Sequence, residues 1–434
     1  MNETGTKFYG WKLVAVFFAV YFFNSSFPYY GGVVINAFMS VEMGLDRSTL
    51  GLGFSIFNLA FGLSAPLVGT LVARSGARRT LLYGCAMIAV GSFLMAFAVS
   101  TAWHYVLYFG VIIGTGVSMS GVIPIQSSLI FWFKRRRATA MSIVMTATGL
   151  GALISAPLLA RVVDFSGNWR TGWVLVAITA IIAAVIVVLG AIDQPGSIGQ
   201  HPDGIDSNTP ESESEPVETV SMVYQTADNW TVSEALKERS WWLLALGTFA
   251  FLVPFYIAMG HGIVHLLDLG HSKELASFSI GLALMCSIAG RLIAGWLGDR
   301  MEPRYIWTVA LAMMCIGIFL LQNASTTLMI YAYAAMLGIG MGASYVCMIT
   351  LIGNYFGSHA YPQITGLILS ISTVLAAASP ILAGLAYDRT GTYATAFYVT
   401  MVMVFLGVLL MPFAAPPARE PDIGLNSVSN TKAV

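Results

Sequence analysis

The chain is a succession of long apolar runs separated by short polar segments. A membrane-spanning helix needs roughly 20 apolar residues, and this measure divides the chain into twelve candidate spans. The pattern predicts an all-α membrane protein with spans at residues 12–38, 49–73, 80–99, 103–131, 139–160, 170–192, 241–268, 274–298, 305–322, 327–356, 362–386 and 393–413. The first run is longer than a signal peptide and has no small-residue cleavage site, so we expect a retained span.

One polar stretch is much longer than the others and falls between the sixth and seventh spans. It predicts an amino-terminal half at 1–192, a linker at 193–240, a carboxy-terminal half at 241–413 and a tail at 414–434. The acidic, Pro- and Ser-rich middle of the linker is typical of disorder. Its last part, Val232 to Trp242, has the pattern of a short amphipathic helix.

The positive charges are unevenly distributed between the two sides of the predicted membrane region. Of the 21 Lys and Arg residues, fifteen fall on the side of both termini, five on the other side, and Arg291 within a span. Positive charge marks the cytoplasmic side, so we expect a multi-pass cell-membrane protein with both termini in the cytoplasm. The basic cluster from Lys134 to Arg137 is expected to lie against anionic lipid headgroups.

Composition excludes several classes of function. Hydrophobic residues make up 57% of the chain and charged residues 10%, whereas a soluble domain carries about a quarter charged residues. The four cysteines lie in apolar runs without metal-ligand spacing, so we expect no metal and no cofactor. The chain has no phosphate-binding loop and no catalytic constellation. We therefore expect neither an enzyme, nor nucleic-acid binding, nor an ATPase subunit.

The two halves share an internal repeat. The segment Gly69–Arg78 matches Gly295–Arg304 at an offset of 226 residues, and Gly114 matches Gly340 at the same offset. The repeat predicts two pseudo-symmetric six-helix halves. Parallel repeats of this kind are typical of carriers whose substrate site lies between the halves near the middle of the membrane.

The repeated segment carries a resemblance to a known family. The pattern Gly-x-x-x-Asp-Arg-x-x-x-Arg after the second span of each half resembles the signature loop of the major facilitator superfamily. The resemblance implies the major facilitator fold, and a gating latch on the cytoplasmic side made by Gly69, Arg74, Arg78, Asp299, Arg300 and Arg304. Ala73 stands where the family usually has an acid, which implies a weak latch in the first half.

Three further segments are similar to one branch of that superfamily, the oxalate/formate antiporters and monocarboxylate porters. They are Phe8–Trp11 at the first span, Trp132–Ala138 before the fifth, and Ile288–Arg291 in the eighth. Porters of this branch use an eighth-span arginine for their substrate. The resemblance therefore implies that Arg291 binds an organic anion.

Arg291 also points to an anion on physical grounds. It lies eight residues before Asp299, or about 12 Å along a helix from the membrane boundary. A guanidinium at this depth costs about 2.5–3.5 kcal/mol, so it should face a cavity or a partner, and a carboxylate matches its paired donors. The alternative is that the side chain snorkels to the membrane edge. No second cation occupies a predicted span, which favours a single carboxylate.

The sequence offers further candidate contacts for the substrate. Tyr29 and Tyr30 in the first span and Tyr345 in the tenth are candidates for an aromatic wall around the ligand. Ser287 precedes Arg291 by one helical turn and so shares its face. Simple packing is the alternative role for each of these aromatic residues.

Proton coupling has no acidic candidate in mid-membrane. In the seventh span, however, His261, His265 and Asp268 share one helical stripe. Histidine titrates near pH 6.5, so this stripe is a candidate proton site in which Asp268 orients His265. His265 is also a candidate substrate contact. The alternative is a pair of structural histidines near the extracellular mouth.

The sequence therefore predicts a secondary transporter of a small monocarboxylate such as lactate or pyruvate. It predicts rocker-switch alternating access with proton symport, and anion exchange of the formate/oxalate type is the alternative coupling. A drug or cation exporter would need a buried acid that this chain lacks. A membrane sensor that acts through the central linker is a further alternative.

Overall fold

The computed structural model describes residues 8–205, 223–226 and 228–417, and these residues form an all-helical membrane protein. Twelve of its helices are long and apolar enough to cross a membrane, which confirms the predicted number. They are α1 (Gly10–Met43), α2 (Ser48–Ser75), α3 (Ala77–Phe97), α4 (Ala102–Trp132), α5 (Arg137–Ser166), α6 (Trp169–Gly190), α7 (Arg239–Asp268), α8 (Lys273–Gly298), α9 (Pro303–Gln322), α10 (Thr327–Phe356), α11 (Tyr361–Thr390) and α12 (Ala394–Phe413).

Some helices extend beyond the apolar runs that predicted them. The helix α1 ends at Met43 rather than residue 38, and α5 ends at Ser166 rather than residue 160. Both stop before a left-handed glycine, Gly44 with φ of 63° and Gly167 with φ of 64°. Glycine adopts this conformation without steric cost and commonly ends helices. Backbone chemistry, rather than hydropathy, sets these two ends.

Three spanning helices contain irregular backbone. In α4 the segment Val106–Ile113 is π-helical. In α1 the segment Phe22–Gly31 is π-helical and contains Pro28. In α11 the helix breaks at Ala378, between Tyr361–Ala377 and Ser379–Thr390. Proline lacks an N–H and clashes with the preceding turn, so Pro28 in α1 and Pro380, just after the break in α11, are local causes of these two irregularities. Irregular backbone within a membrane is tolerated where it is buried in protein or lines a cavity.

Small residues bring neighbouring helices close together, while large apolar residues face outward. A β-carbon added at Gly342 of α10 would lie 2.0 Å from the carbonyl oxygen of Ser287 in α8. Outward-facing Leu189 and Leu382 are 79% and 61% exposed, as expected of lipid-facing side chains. We propose that the two halves comprise residues 1–192 and 241–413.

The linker differs from its prediction where it is described. The predicted helix from Val232 to Trp242 is wrong: a one-turn helix covers Val232–Ala235, and α7 begins separately at Arg239. The short helix begins at a capping box between Thr231 and Glu234, which a hydropathy pattern does not detect. The acidic middle of the linker, which was predicted to be disordered, lies outside the described residues.

The described parts of the linker bind to both halves. Two backbone N–H groups, of Lys134 and Arg135, donate to the Asp203 carboxylate at 3.0 and 2.9 Å. Gln225 donates to the Lys134 carbonyl at 2.9 Å, and the Thr226 N–H donates to the Asn354 carbonyl at 2.8 Å. The segment 223–226 therefore connects the loop before α5 with the end of α10.

We expect the substitution Gly342→Ala to destabilise the protein, because the new methyl group would overlap the α8 backbone. Overpacking of this kind typically costs about 1–3 kcal/mol. Gly281→Ala is the matched control, since a β-carbon at Gly281 meets no atom within 4 Å. The melting temperature of purified protein in detergent measures both. Equal melting temperatures for the two variants would contradict the close helix contact.

Candidate substrate cavity

A cavity of about 140 Å³ lies between the two halves near the middle of the helices. Its wall is built by α1, α2, α4 and α5 of the first half and by α7, α8, α10 and α11 of the second. The irregular part of α1 contributes Ser25, Tyr29 and Tyr30. The adjacent residues Tyr29 and Tyr30 of this π-helical segment both line the cavity.

Arg291 of α8 lines this cavity and is 6% exposed. Its Nη1 atom donates to the Met145 carbonyl and, at 2.6 Å, to the Thr148 hydroxyl. Both acceptors belong to α5, so the guanidinium reaches from the second half to the first. Its Nε atom is buried without a hydrogen-bond partner among the described residues. The side chain thus lines the cavity and retains an unused donor at Nε.

The electrostatic setting of the cavity is dominated by this guanidinium. Among the described residues that line the cavity, Arg291 is the one with a charged side chain. Tyr21, Tyr30 and Tyr345 line the same cavity as Arg291. The cavity therefore offers one positive charge surrounded by neutral hydroxyls, an arrangement that suits one anionic group.

The predicted substrate contacts are partly brought together. Tyr29, Tyr30 and Tyr345 line the cavity with Arg291. Ser287 does not line it, although it lies one turn from the arginine. Its hydroxyl donates to the Leu284 carbonyl at 2.7 Å, and α10 covers it through the close approach of Gly342. Helical spacing placed Ser287 on the correct face but did not reveal the neighbouring helix.

Several cavity residues were missed by the sequence reasoning. They include Tyr21, Ser25, Asn58, Thr148 and Tyr256. A signal existed for the first two, because Tyr21 and Ser25 precede Tyr29 at successive intervals of four residues. No comparable signal marks the other three, because uncharged polar and aromatic residues are common elsewhere in the spans.

The predicted proton site lies away from the cavity. His265 is buried, and its Nε2 atom donates to the Leu321 carbonyl at 3.1 Å. His261 donates to the Pro380 carbonyl at 2.8 Å and lies 3.2 Å from the Tyr393 hydroxyl. Asp268 is exposed and interacts with a tyrosine hydroxyl of α11. The stripe packs against α9, α11 and α12, as structural histidines do.

The repeated loops meet the opposite half at one face of the membrane. We call the face at which α1 begins and α12 ends the terminal face. There, Asp299 accepts hydrogen bonds from the N–H groups of Ala138 and Thr139 at 2.8 and 3.0 Å. Asp299 follows α8, and the two donors lie in the first turn of α5. A carboxylate of the second half thus caps a helix of the first half.

The Asp299 carboxyl is held in a partly dehydrated position. Burial raises its pKa above the ordinary value, while the hydrogen bonds from Thr139 and Ala138 oppose that rise. The helix N-terminus therefore offsets much of the cost of burying this charge. Close packing accompanies the cap, since a β-carbon at Gly295 would lie 3.0 Å from the Ala138 carbonyl.

The internal repeat relates this cap to a contact between α2 and the start of α11. That contact lacks both the carboxylate and a backbone N–H donor. A β-carbon at Gly69 of α2 would lie 2.3 Å from the Pro362 carbonyl at the start of α11, so Pro362 takes the position of Ala138. Ala73 provides no carboxylate, and proline provides no N–H to be capped. The missing acid and the missing donor thus occur together. A proline in the first turn of a helix needs no partner at that position.

The other predicted gating residues make contacts within their own halves. Arg78 donates to the Val188 carbonyl at 2.5 Å, Arg300 to the Trp296 carbonyl at 2.7 Å, and Arg304 to the Tyr305 hydroxyl at 3.2 Å. Arg74 lines a separate cavity of about 610 Å³ at the terminal face. Of the predicted latch, Gly69 and Asp299 make direct contacts with the opposite half, and the cavity that Arg74 lines is bounded by residues of both halves.

The predicted position of Arg137 at the lipid headgroups is wrong. Its side chain is 7% exposed and donates to the Asn354 amide oxygen at 2.8 Å. The bond joins α5 of one half to α10 of the other. The residue begins α5, where the helix turns it into the protein while the preceding Lys134 and Arg135 stay outside.

Comparisons with known proteins agree with this architecture. The sequence profile of the Major Facilitator Superfamily matches residues 13–264 and 244–431. The chain is 26% identical over 348 residues to monocarboxylate transporter 13 of Rattus norvegicus, across 79% of this chain and 74% of that protein. It is 23% identical over 394 residues to the gentisate transporter of Corynebacterium glutamicum, across 87% and 81%.

A solved structure shares the fold. The outward-facing crystal structure of FucP superposes with a TM-score of 0.70 and 14% sequence identity, across 93% of this chain and 98% of that one. At this identity the likeness shows the fold alone. The predicted twelve-helix architecture is thereby confirmed, and the matched sequence profile confirms the predicted family.

We expect Asp299→Ala to open the terminal face, because the cap between the halves is lost. Helix caps are worth about 0.5–2 kcal/mol. Hydrogen–deuterium exchange of residues 134–149 should become faster, and Asp299→Asn, which keeps an acceptor, should change it less.

Asp46→Ala is the matched control, because Asp46 accepts from the Thr49 N–H at 2.8 Å and caps α2 within its own half. Unchanged exchange of residues 134–149 in Asp299→Ala, or an equal change in Asp46→Ala, would contradict the proposed role of Asp299.

Proposed function

Because the chain belongs to the Major Facilitator Superfamily, we propose that it is a secondary transporter that carries a small organic anion with one carboxylate across the cell membrane. It is a multi-pass membrane protein related to monocarboxylate transporters, and it is not an enzyme. The observation that carries the proposal is the buried Arg291, which lines the cavity between the halves with an unused donor at Nε.

The geometry of the guanidinium favours a carboxylate. Nη1 is held by Met145 and Thr148, whereas Nε has no hydrogen-bond partner among the described residues, so we assign the edge formed by Nε and Nη2 to the anion. Two parallel N–H groups on this edge match the two oxygens of a carboxylate. The bonds to α5 fix the plane of the guanidinium before the anion arrives. The site therefore combines charge complementarity with a defined orientation.

The same residue explains alternating access. An unpaired charge in a closed site is costly, because removing it from water is not compensated by a partner. A bound carboxylate supplies the partner and so permits the two halves to close around it. The Asp299 cap and the Arg137–Asn354 bond hold the terminal face shut while the cavity is loaded. The excess of positive charge at that face supports cytoplasmic termini.

Two coupling mechanisms fit this cycle. In the first, a proton accompanies the anion through His261 and His265. In the second, the carrier exchanges one anion for another. The cavity favours the second, because its described lining contains no Asp, Glu or His that could carry a proton beside the anion. In an exchanger the empty cavity with its unpaired arginine does not close, and a second anion is needed for the return.

We expect Arg291→Ala to abolish carboxylate transport in proteoliposomes. Removing one partner of a buried charge pair costs about 2–5 kcal/mol, which corresponds to at least about a 30-fold loss of affinity. Arg291→Lys should restore little, because an ammonium does not provide the paired donors.

The control is Arg161→Ala, which removes an exposed arginine near the end of α5. Counterflow of a labelled carboxylate measures all three variants and separates a carrier from a sensor. Full transport by Arg291→Ala would refute the binding role.

For coupling, we expect an anion inside the vesicles to accelerate uptake, while an imposed pH gradient without internal anion does not. His261→Gln and His265→Gln should retain exchange, since both histidines lie outside the cavity. Accumulation driven by the pH gradient alone, lost in His265→Gln, would establish proton symport instead.

A further inference from the structure

We propose that the preferred cargo is a planar aromatic monocarboxylate with a polar group on its ring, of the hydroxybenzoate class, rather than a short acid such as lactate. This inference rests on the proposed function and specifies the substrate of the same cavity. It follows from the composition of the wall, the size of the cavity and the distribution of polar groups along it.

The wall is unusually rich in aromatic rings, and both halves contribute equally. Eight of the lining side chains are aromatic: Tyr21, Tyr29, Tyr30, Phe61, Phe251, Phe255, Tyr256 and Tyr345. Rings prefer to meet other rings edge-to-face or offset-stacked, and such pairs add stability beyond the area they bury. A wall of this kind discriminates in favour of a flat, polarisable ligand.

The size of the cavity matches one ring. Its volume is about 140 Å³, and an engineered apolar cavity of about 150 Å³ in another protein binds benzene. A benzoate-sized molecule would fill the space. A three-carbon acid would leave much of the aromatic surface without a contact, and unfilled apolar surface loses the dispersion contacts that stabilise a bound ligand.

The polar groups that line the cavity fall into two sets. The first set is Arg291 with Thr148, whose hydroxyl accepts from Nη1 of Arg291 at 2.6 Å, and it suits the carboxylate. This set accounts for the charged group of the ligand.

The second set is Asn58, Tyr256 and Thr373, which line the cavity and are not hydrogen-bonded to Arg291. The Asn58 side chain donates to the Phe54 carbonyl at 2.9 Å, and its oxygen lies 3.4 Å from the Tyr29 hydroxyl. That contact is long for an O–H···O hydrogen bond, so the amide oxygen has capacity for a ligand hydroxyl.

The described lining has no second charged side chain, and this disfavours two other classes of ligand. A dicarboxylate would place an unpaired anionic group among aromatic rings, and burying such a group is unfavourable. An organic cation would meet Arg291 without a compensating carboxylate. A monoanion with a neutral polar substituent satisfies both sets of polar groups.

A counterflow panel in proteoliposomes tests the substrate class. The probes are 4-hydroxybenzoate, benzoate, cyclohexanecarboxylate, lactate and pyruvate. We expect 4-hydroxybenzoate and benzoate to exchange fastest, and cyclohexanecarboxylate, which has similar size but no flat ring, to be slower. Preference for lactate or pyruvate, or equal rates for benzoate and cyclohexanecarboxylate, would overturn this inference and leave the proposed function standing. Failure of all five carboxylates would overturn both.

Two variants separate the role of the aromatic rings from that of the second set of polar residues. Phe255→Leu should weaken benzoate binding about 2- to 10-fold, the value typical of one aromatic pair, and should leave lactate binding unchanged. Tyr256→Phe should weaken binding of 4-hydroxybenzoate more than that of benzoate. Phe319→Leu, at an outward-facing ring of α9, is the control for folding and should change neither. Equal effects of Phe255→Leu and Phe319→Leu would contradict the aromatic wall.

Discussion

The burial of one guanidinium without a charged partner is the constraint on which the rest of the structure depends. Arg291 is 94% removed from solvent, and its acceptors, Met145 and Thr148, are neutral. Hydrogen bonds to neutral groups reduce the cost of this charge but do not cancel it. The structure therefore favours binding of an anion at the boundary between the halves. In this account, pairing of the substrate with Arg291 is also the step that permits the halves to close.

At the terminal face, the two contacts related by pseudo-symmetry are held by different interactions. One contact between the halves uses a carboxylate cap from Asp299 to the start of α5. Its counterpart joins Gly69 to Pro362 by packing alone, because both the acid and one N–H are missing. Arg137, Asn354 and the linker segment 223–226 add polar contacts beside these helices. The closed state is thus held by a small set of separable interactions.

The sequence predicts most of the fold, because bilayer thickness and apolar length determine the spans directly. It identifies Arg291 for the same reason, since a charge within a span is rare. It does not predict the neighbours of that charge. Ser287 has the correct helical spacing but is covered by Gly342 of another helix, and the stripe of His265 faces α9 and α12. Which helix covers a given stripe is determined by tertiary packing, to which periodicity is insensitive.

Distance measurements between the halves test the central claim most directly. Spin labels in the α1–α2 and α11–α12 loops report the separation of the halves on the face opposite the terminal face. If an anion permits closure by pairing with Arg291, saturating benzoate should shift the population toward shorter distances in the wild-type protein and cause no shift in Arg291→Gln. The same shift in both proteins, or none in the wild type despite measured benzoate binding, would contradict the account.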